Sequence, residues 1–230
     1  MRAVIIAISL AALAAVGSPA AVQTRGAEQR APARIPVNAR DDDQAEAHRV
    51  ISAYARCVAA RNRPGVLAFL ELPPSSSRSG SRAARLATAD CLYEGELRFN
   101  ASLFRGQLFE ALYRQDYNSL PLPDLSSTPP LPPLFPPDAE LNDRQRVAMA
   151  LSAFAECAVR ADPAAARRLT LSQVASAAEN EAFAALSQTF SGCLSQGIQL
   201  SFSRPMLRGI VAESLYRLST AALPLAPAPS

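Results

Sequence analysis

The chain has 230 residues, a formal net charge of +3, 49% apolar residues and 19% charged residues. This much apolar material supports a packed core and excludes a wholly disordered chain, and the single long apolar run, beside Met1, excludes a polytopic membrane protein. One His, no Trp and four Cys leave little for His-based or metal chemistry, and so small a charge makes no strong field for nucleic acid or anionic lipid.

The basic side chains are Arg without Lys, and Ala makes up about a fifth of the residues, as expected of a GC-rich coding sequence. The Arg residues are spread along the chain and read as cations solvating helix surfaces.

Residues 1–20 read as a secretory leader. Met1-Arg2 supplies a short basic start, Ala3 to Val16 an apolar run, and Gly17-Ser18-Pro19-Ala20 a helix break with a small-residue cleavage pattern, placing the cut after Ala20. The run is short for a membrane span, so no span is expected after leader removal, and no Cys follows it to take a lipid. Residues 21–40, without periodicity and carrying Pro32 and Pro36, read as a flexible tether.

From Asp41 onward the chain reads as two copies of one helical unit, residues 41–118 and 139–222. Ser52-Ala53-Tyr54-Ala55-Arg56-Cys57 returns as Ser152-Ala153-Phe154-Ala155-Glu156-Cys157. Cys91-Leu92-x-x-Gly95 returns as Cys193-Leu194-x-x-Gly197, and Arg105-Gly106-x-x-x-Glu110-x-Leu112-Tyr113 as Arg208-Gly209-x-x-x-Glu213-x-Leu215-Tyr216.

Each copy is expected to hold four helices, so the fold class is all-α. The first helix runs from about Asp43 to Arg61. Asp41, Asp42 and Asp43 load its N-terminus with negative charge, and Val50, Ile51, Tyr54, Cys57 and Val58 form an inward stripe. Its counterpart starts at Asn142 or Asp143 and buries Val147, Ala150, Leu151, Phe154 and Cys157. His48, without a copy in the second half, reads as a surface residue near the start of its helix. Short second helices follow Pro64 and Pro163, where a missing N–H does no harm. Ser75 to Ser81 reads as a polar loop. Third helices carry Leu86 and Cys91 up to Gly95, and Phe183, Leu186, Phe190 and Cys193 up to Gly197. Asn100 and Ser203 cap fourth helices that end near Tyr117 and Ser219.

Residues 119–138 form a linker with eight prolines between Pro121 and Pro137, too rich for helix or central strand and expected to be extended. Leu120, Leu122, Leu125, Leu131, Leu134 and Phe135 among those prolines imply that part of it lies on a helical surface. Residues 223–230 have the same character and read as a flexible tail.

A leader implies an oxidising compartment, periplasmic or extracellular, with a bacterial envelope fitting the composition. Four Cys allow three connectivities. Because the unit must have been complete before it was copied, Cys57 pairs with Cys91 and Cys157 with Cys193. Neither Cys-x-x-Cys nor a nearby His suggests redox or metal chemistry, so no cofactor and no metal are expected.

The most specific pattern is Arg-Gly-x-x-x-Glu-x-Leu-Tyr. Gly106, Glu110 and Tyr113, like Gly209, Glu213 and Tyr216, fall on one helix face, and a glycine kept in mid-helix implies close approach of a neighbour. A Glu beside such a contact needs a partner. Arg105 and Arg208 lie badly for pairing within their own helices; Arg56 or a backbone donor on a neighbour can serve, and the expected role of each Glu is a buried Glu–Arg or Glu–Tyr bond that fixes helix register. Serine-nucleophile, phosphate-loop and paired-His metal motifs are absent.

Three functional readings follow. The first is an exported, non-catalytic binding or interaction protein, its partner a protein or small molecule of the envelope, its surface the groove between the copies or the Leu/Pro linker. The second is a small hydrolase using Glu110 and Glu213 as acid and base, which requires both in one open cleft about 5–10 Å apart. The third is a structural envelope protein held by its N-terminus.

Overall fold

The computed structural model of the chain describes residues 41–92, 100–194 and 203–223. The leader and tether, the connectors around Gly95 and Gly197, and the tail beyond Leu223 lie outside the described residues.

Eight α-helices and no strand are found among the described residues. They are α1 (Asp41–Arg61), α2 (Arg63–Leu70), α3 (Ser77–Leu86), α4 (Ala101–Tyr117), α5 (Asp143–Ala161), α6 (Pro163–Leu171), α7 (Ala177–Cys193) and α8 (Arg204–Ala222), with a 3-10 turn at Ala89–Cys91 between α3 and α4. Side-chain caps start most of them. Asn62, Ser76, Asn100, Asp162, Ser176 and Ser203 each accept from a backbone N–H of the first turn, and Asn142 forms a reciprocal capping box with Gln145. None of the described helices is long and apolar enough to cross a membrane.

At the centre α4 lies along α8. Helix α1 packs on α4 and α5 on α8, while α2 joins α1, α3 and α4, and α6 joins α5, α7 and α8. The two central helices run side by side in the same direction, for Gly106 meets Gly209 near their starts and Tyr117 donates to Thr220 at their ends, both pairs 103 residues apart. Phe69, Phe104, Leu108, Leu112, Leu169, Leu186, Leu215 and Leu218 fill the core around this pair with essentially no exposure.

Both disulfides are present, Cys57–Cys91 with Cα atoms 5.7 Å apart and Cys157–Cys193 with 5.8 Å. Each staples the helix that packs on the seam to the segment leading back to it. Replacing Cys157 and Cys193 together by Ser is expected to lower stability by about 3 kcal/mol, read as a fall in urea midpoint with the helical circular dichroism retained.

Several expectations need correction. The first half has no third helix reaching Cys91: α3 ends at Leu86, Ala87 and Thr88 are extended, and Cys91 sits on the 3-10 turn. The break is pinned by Tyr54, whose hydroxyl accepts from the Thr88 amide at 2.9 Å and donates to its carbonyl at 3.3 Å. The Ser75 to Ser81 stretch is not all loop, because Ser76 caps α3 from within it. Val50, Val147, Ala150 and Cys157 are exposed rather than inward, since the outer helices α1 and α5 bury only a narrow stripe against the seam. His48 is buried, because α1 begins at Asp41 and carries it two turns into the fold. The arginines are not evenly spread in space either. Along one side of α3 Arg78 and Arg85 are exposed and Arg82 is half-buried, next to a stripe that buries Ser79, Ala83 and Leu86.

The proline-rich segment between α4 and α5 buries Leu125 and Phe135. Prolines leave carbonyls without matching N–H donors, and arginines collect them. Arg167 donates to the carbonyls of Tyr117, Asn118 and Leu120, and Arg160 to those of Leu125, Thr128 and Pro129. Glu156 holds Arg160 in place and also accepts the Leu131 amide at 3.0 Å.

Candidate functional site

The repeated Arg-Gly-x-x-x-Glu-x-Leu-Tyr pattern forms the seam of α4 and α8. A Cβ added to Gly106 would lie 2.5 Å from Gly209 Cα, so only two glycines permit this approach. With the helices this close and parallel, a side chain one residue before each glycine reaches across to the acid four residues beyond the other. Arg208 donates from Nε to Glu110 Oε2 at 2.6 Å and from Nη2 to Glu110 Oε1 at 2.8 Å. Arg105 makes the reciprocal pair, Nη2 to Glu213 Oε1 at 2.8 Å and Nε to Oε2 at 3.1 Å. The partners of the two acids are therefore the other helix's arginines and not Arg56, which donates to Ser52 on its own helix. Of the two motif tyrosines Tyr216 crosses, donating to Asp116 at 2.9 Å, where Arg63 also donates.

Other groups extend this network. Arg114, one turn beyond Glu110, pairs with it and also donates to the carbonyls of Thr170, Leu171 and Ser172. Glu179, from the first turn of α7, accepts from Arg208 Nη1 at 2.8 Å. Burial is the largest influence on the Arg208 guanidinium and opposes its charge, yet Glu110 and Glu179 outweigh it and raise its pKa. Burial likewise raises the Tyr216 hydroxyl, reinforced by Asp116. Arg114 lies one residue past the motif but recurs as Arg217 directly after Tyr216, a signal the sequence does offer, whereas Glu179 carries none because Ser79 stands at the corresponding place, three residues after a serine cap.

His48 is 6% exposed, with Nε2 unpartnered among the described residues, and Glu179, Arg208 and Glu110 face it from α7, α8 and α4. Burial is the main cause that lowers its pKa below the ordinary 6.5, with Arg208 acting in the same direction and the two acids opposing. The unfolded chain therefore takes up a proton below 6.5 that the folded one resists, and stability is lost as pH falls from there toward the folded value. A His48→Gln variant is expected to lose less stability between about pH 7 and about pH 5 than the parent, measured by urea midpoints across that range.

Glu110 and Glu213 do not share an open cleft. Glu110 is sealed between Arg208 and Arg114, whereas Glu213, with Arg105, borders a groove of about 330 Å³ between α5 and α8. Leu134, Val147, Leu151, Met206 and Ile210 give that groove an apolar wall, closed at one end by Pro74 and Ser75. A second hollow, of about 500 Å³, also reaches Arg105 and is lined by Leu67, Phe109, Pro133 and Arg217. No group of acids, His and Cys that could hold a metal ion occurs among the described residues.

No family model, no curated protein and no solved structure matches this chain. The reading of the site therefore rests on its own geometry. Acid–base catalysis needs a carboxyl free to give or take a proton at a substrate, and both Glu oxygens on each side are committed to guanidinium donors. What the seam leaves accessible is the apolar groove beside it.

Proposed function

We propose that the chain is an exported, non-catalytic binding protein made of two copies of one helical unit, residues 41–118 and 139–222 joined by the proline-rich linker, with the groove between α5 and α8 as its ligand seat. The groove carries this reading. Its volume of about 330 Å³ falls within the range of small-molecule sites, and its wall is apolar with a few polar groups at one side. The duplication is supported by the reciprocal seam, in which Arg, Gly and Glu of one helix meet Glu, Gly and Arg of the other. Export is supported by the leader pattern and by two disulfides, which an oxidising compartment preserves. The hydrolase reading draws no support from carboxylates locked to arginines.

Ala148 lines the groove and is half-buried, so Ala148→Phe is expected to fill it. With the neutral dye N-phenyl-1-naphthylamine as the probe, the parent chain should enhance its fluorescence and the variant should bind it at least tenfold more weakly, with an unchanged melting temperature. Equal binding by both, in a folded variant, would remove the groove from consideration.

A further inference from the structure

Beyond its crossed pair Arg208 also holds a second acid, Glu179, and Arg105 does not. At one end Arg208 Nη1 donates to Glu179 Oε1 at 2.8 Å and to Ser172 Oγ at 2.9 Å, beyond its pair with Glu110. Glu179 Oε2 accepts from the amide of Ala175, at 2.8 Å, in a turn where Ala175 has φ 55°. Arg208 and Arg114 there face the carboxylates Glu110 and Glu179, with the Arg56 guanidinium also acting on Arg114.

At the other end the backbone part of the arrangement recurs. Arg105 donates from Nη2 to the Leu70 carbonyl and from Nη1 to the Leu72 carbonyl, whereas Arg208 reaches the Thr170 and Ser172 carbonyls both from Nη2 and turns Nη1 to Glu179 and Ser172 Oγ. The left-handed turn recurs at Ser75, with φ 62°. The second acid does not recur, since the third residue after the α3 cap is Ser79 where α7 has Glu179. Arg105 and Arg217 are left with Glu213 between them, while the neighbouring Glu156 is bound to Arg160. Arg105 and Ser75 both border the groove.

We propose that the groove takes an apolar ligand bearing a carboxylate, whose head group occupies on Arg105 and the Ser75 amide the place that Glu179 holds on Arg208 and the Ala175 amide. The inference rests on the groove being the ligand seat and adds the chemistry of what enters it. A carboxylate there forms charge-assisted bonds to a guanidinium that is already buried and oriented. The hydrocarbon part then lies against Val147, Leu151, Met206 and Ile210. Ser79 is small and buried, so no acid of the chain stands at this place.

The test titrates octanoate and 1-octanol into the full chain by calorimetry, and repeats both with Ser79→Glu. Octanoate should bind one to one and at least tenfold more tightly than octanol. Ser79→Glu should raise the melting temperature and weaken octanoate at least tenfold while leaving octanol within about threefold. Equal affinities for the two probes in the parent chain would overturn the carboxylate assignment and leave the apolar seat standing. Octanoate binding that survives intact in a folded Ser79→Glu chain would overturn the placement of the head group. Binding of neither probe up to 10 mM, together with no dye binding, would sink the groove reading itself. The comparison of probes on the parent chain stands even if the variant fails to fold.

Discussion

Arg208→Met is expected to cost about 3–5 kcal/mol, a large share of the roughly 5–15 kcal/mol by which a folded domain is typically stable. Arg208 is fully buried and is bound by Glu110 and Glu179, themselves nearly inaccessible, so its removal strands buried carboxylates that water cannot reach. Arg114 remains beside Glu110 but already serves three backbone carbonyls. Adding Glu110→Gln and Glu179→Gln to Arg208→Met should recover part of the loss, because the stranded charges go with the arginine. Urea unfolding of the three chains reads the difference. Arg105→Met should cost less, roughly 1–3 kcal/mol, since Glu213 is 15% exposed and can be partly hydrated from the groove. Equal losses for the two arginines would show that burial does not rank them.

The second large effect is expected at the glycine contact. Gly106→Ala puts a Cβ 2.5 Å from the Cα of Gly209, a backbone atom that cannot turn aside. The helices must part, and with them the crossed Arg–Glu pairs, for a loss of roughly 3 kcal/mol or more. Gly209→Ala meets Gly106 at 3.0 Å and should cost somewhat less. The double variant should lose less than the sum of the two, because the first separation already makes room for the second. Gly80→Ala is the control. It lies in α3 with nothing within 4 Å of its added Cβ, and should gain about 0.5–1 kcal/mol from helix propensity alone. Thermal melts of the four chains would show whether the effect belongs to the seam or to glycine as such.

The sequence made some of this legible and hid the rest for identifiable reasons. Helix class and some caps could be read because their signals are local: Asn100 and Ser203 each act on residues within one turn, whereas the cap at Ser76 was hidden in a polar stretch. The disulfide pairing could be read from the order in which the Cys recur. The importance of Arg105, Gly106 and Glu110 was visible as a pattern, but its partners were not, since Arg105 meets an acid 108 residues away and only within-helix geometry can be inferred from spacing. His48 looked like a surface residue because it has no copy in the second half and stands near its helix start, yet Glu46 and Arg49 beside it pair with each other in solvent while His48 turns inward. Glu179 was invisible because a comparison of the halves highlights what they share, and this residue matters through its difference from Ser79. The groove depends on the same kind of difference, Ala148 lining it where the first half has the buried His48.

The crossed arginines also bear on what happens if the polypeptide is cut between α4 and α5. A fragment ending near residue 118 would keep Glu110 but lose Arg208, and its Arg105 would have no Glu213. Each piece alone carries an unmatched buried charge and an open glycine face, so neither is an autonomous domain despite owning its own disulfide. Mixed together, the pieces should complement one another, as a split protein does, because the bonds that cross the seam are the ones each piece lacks.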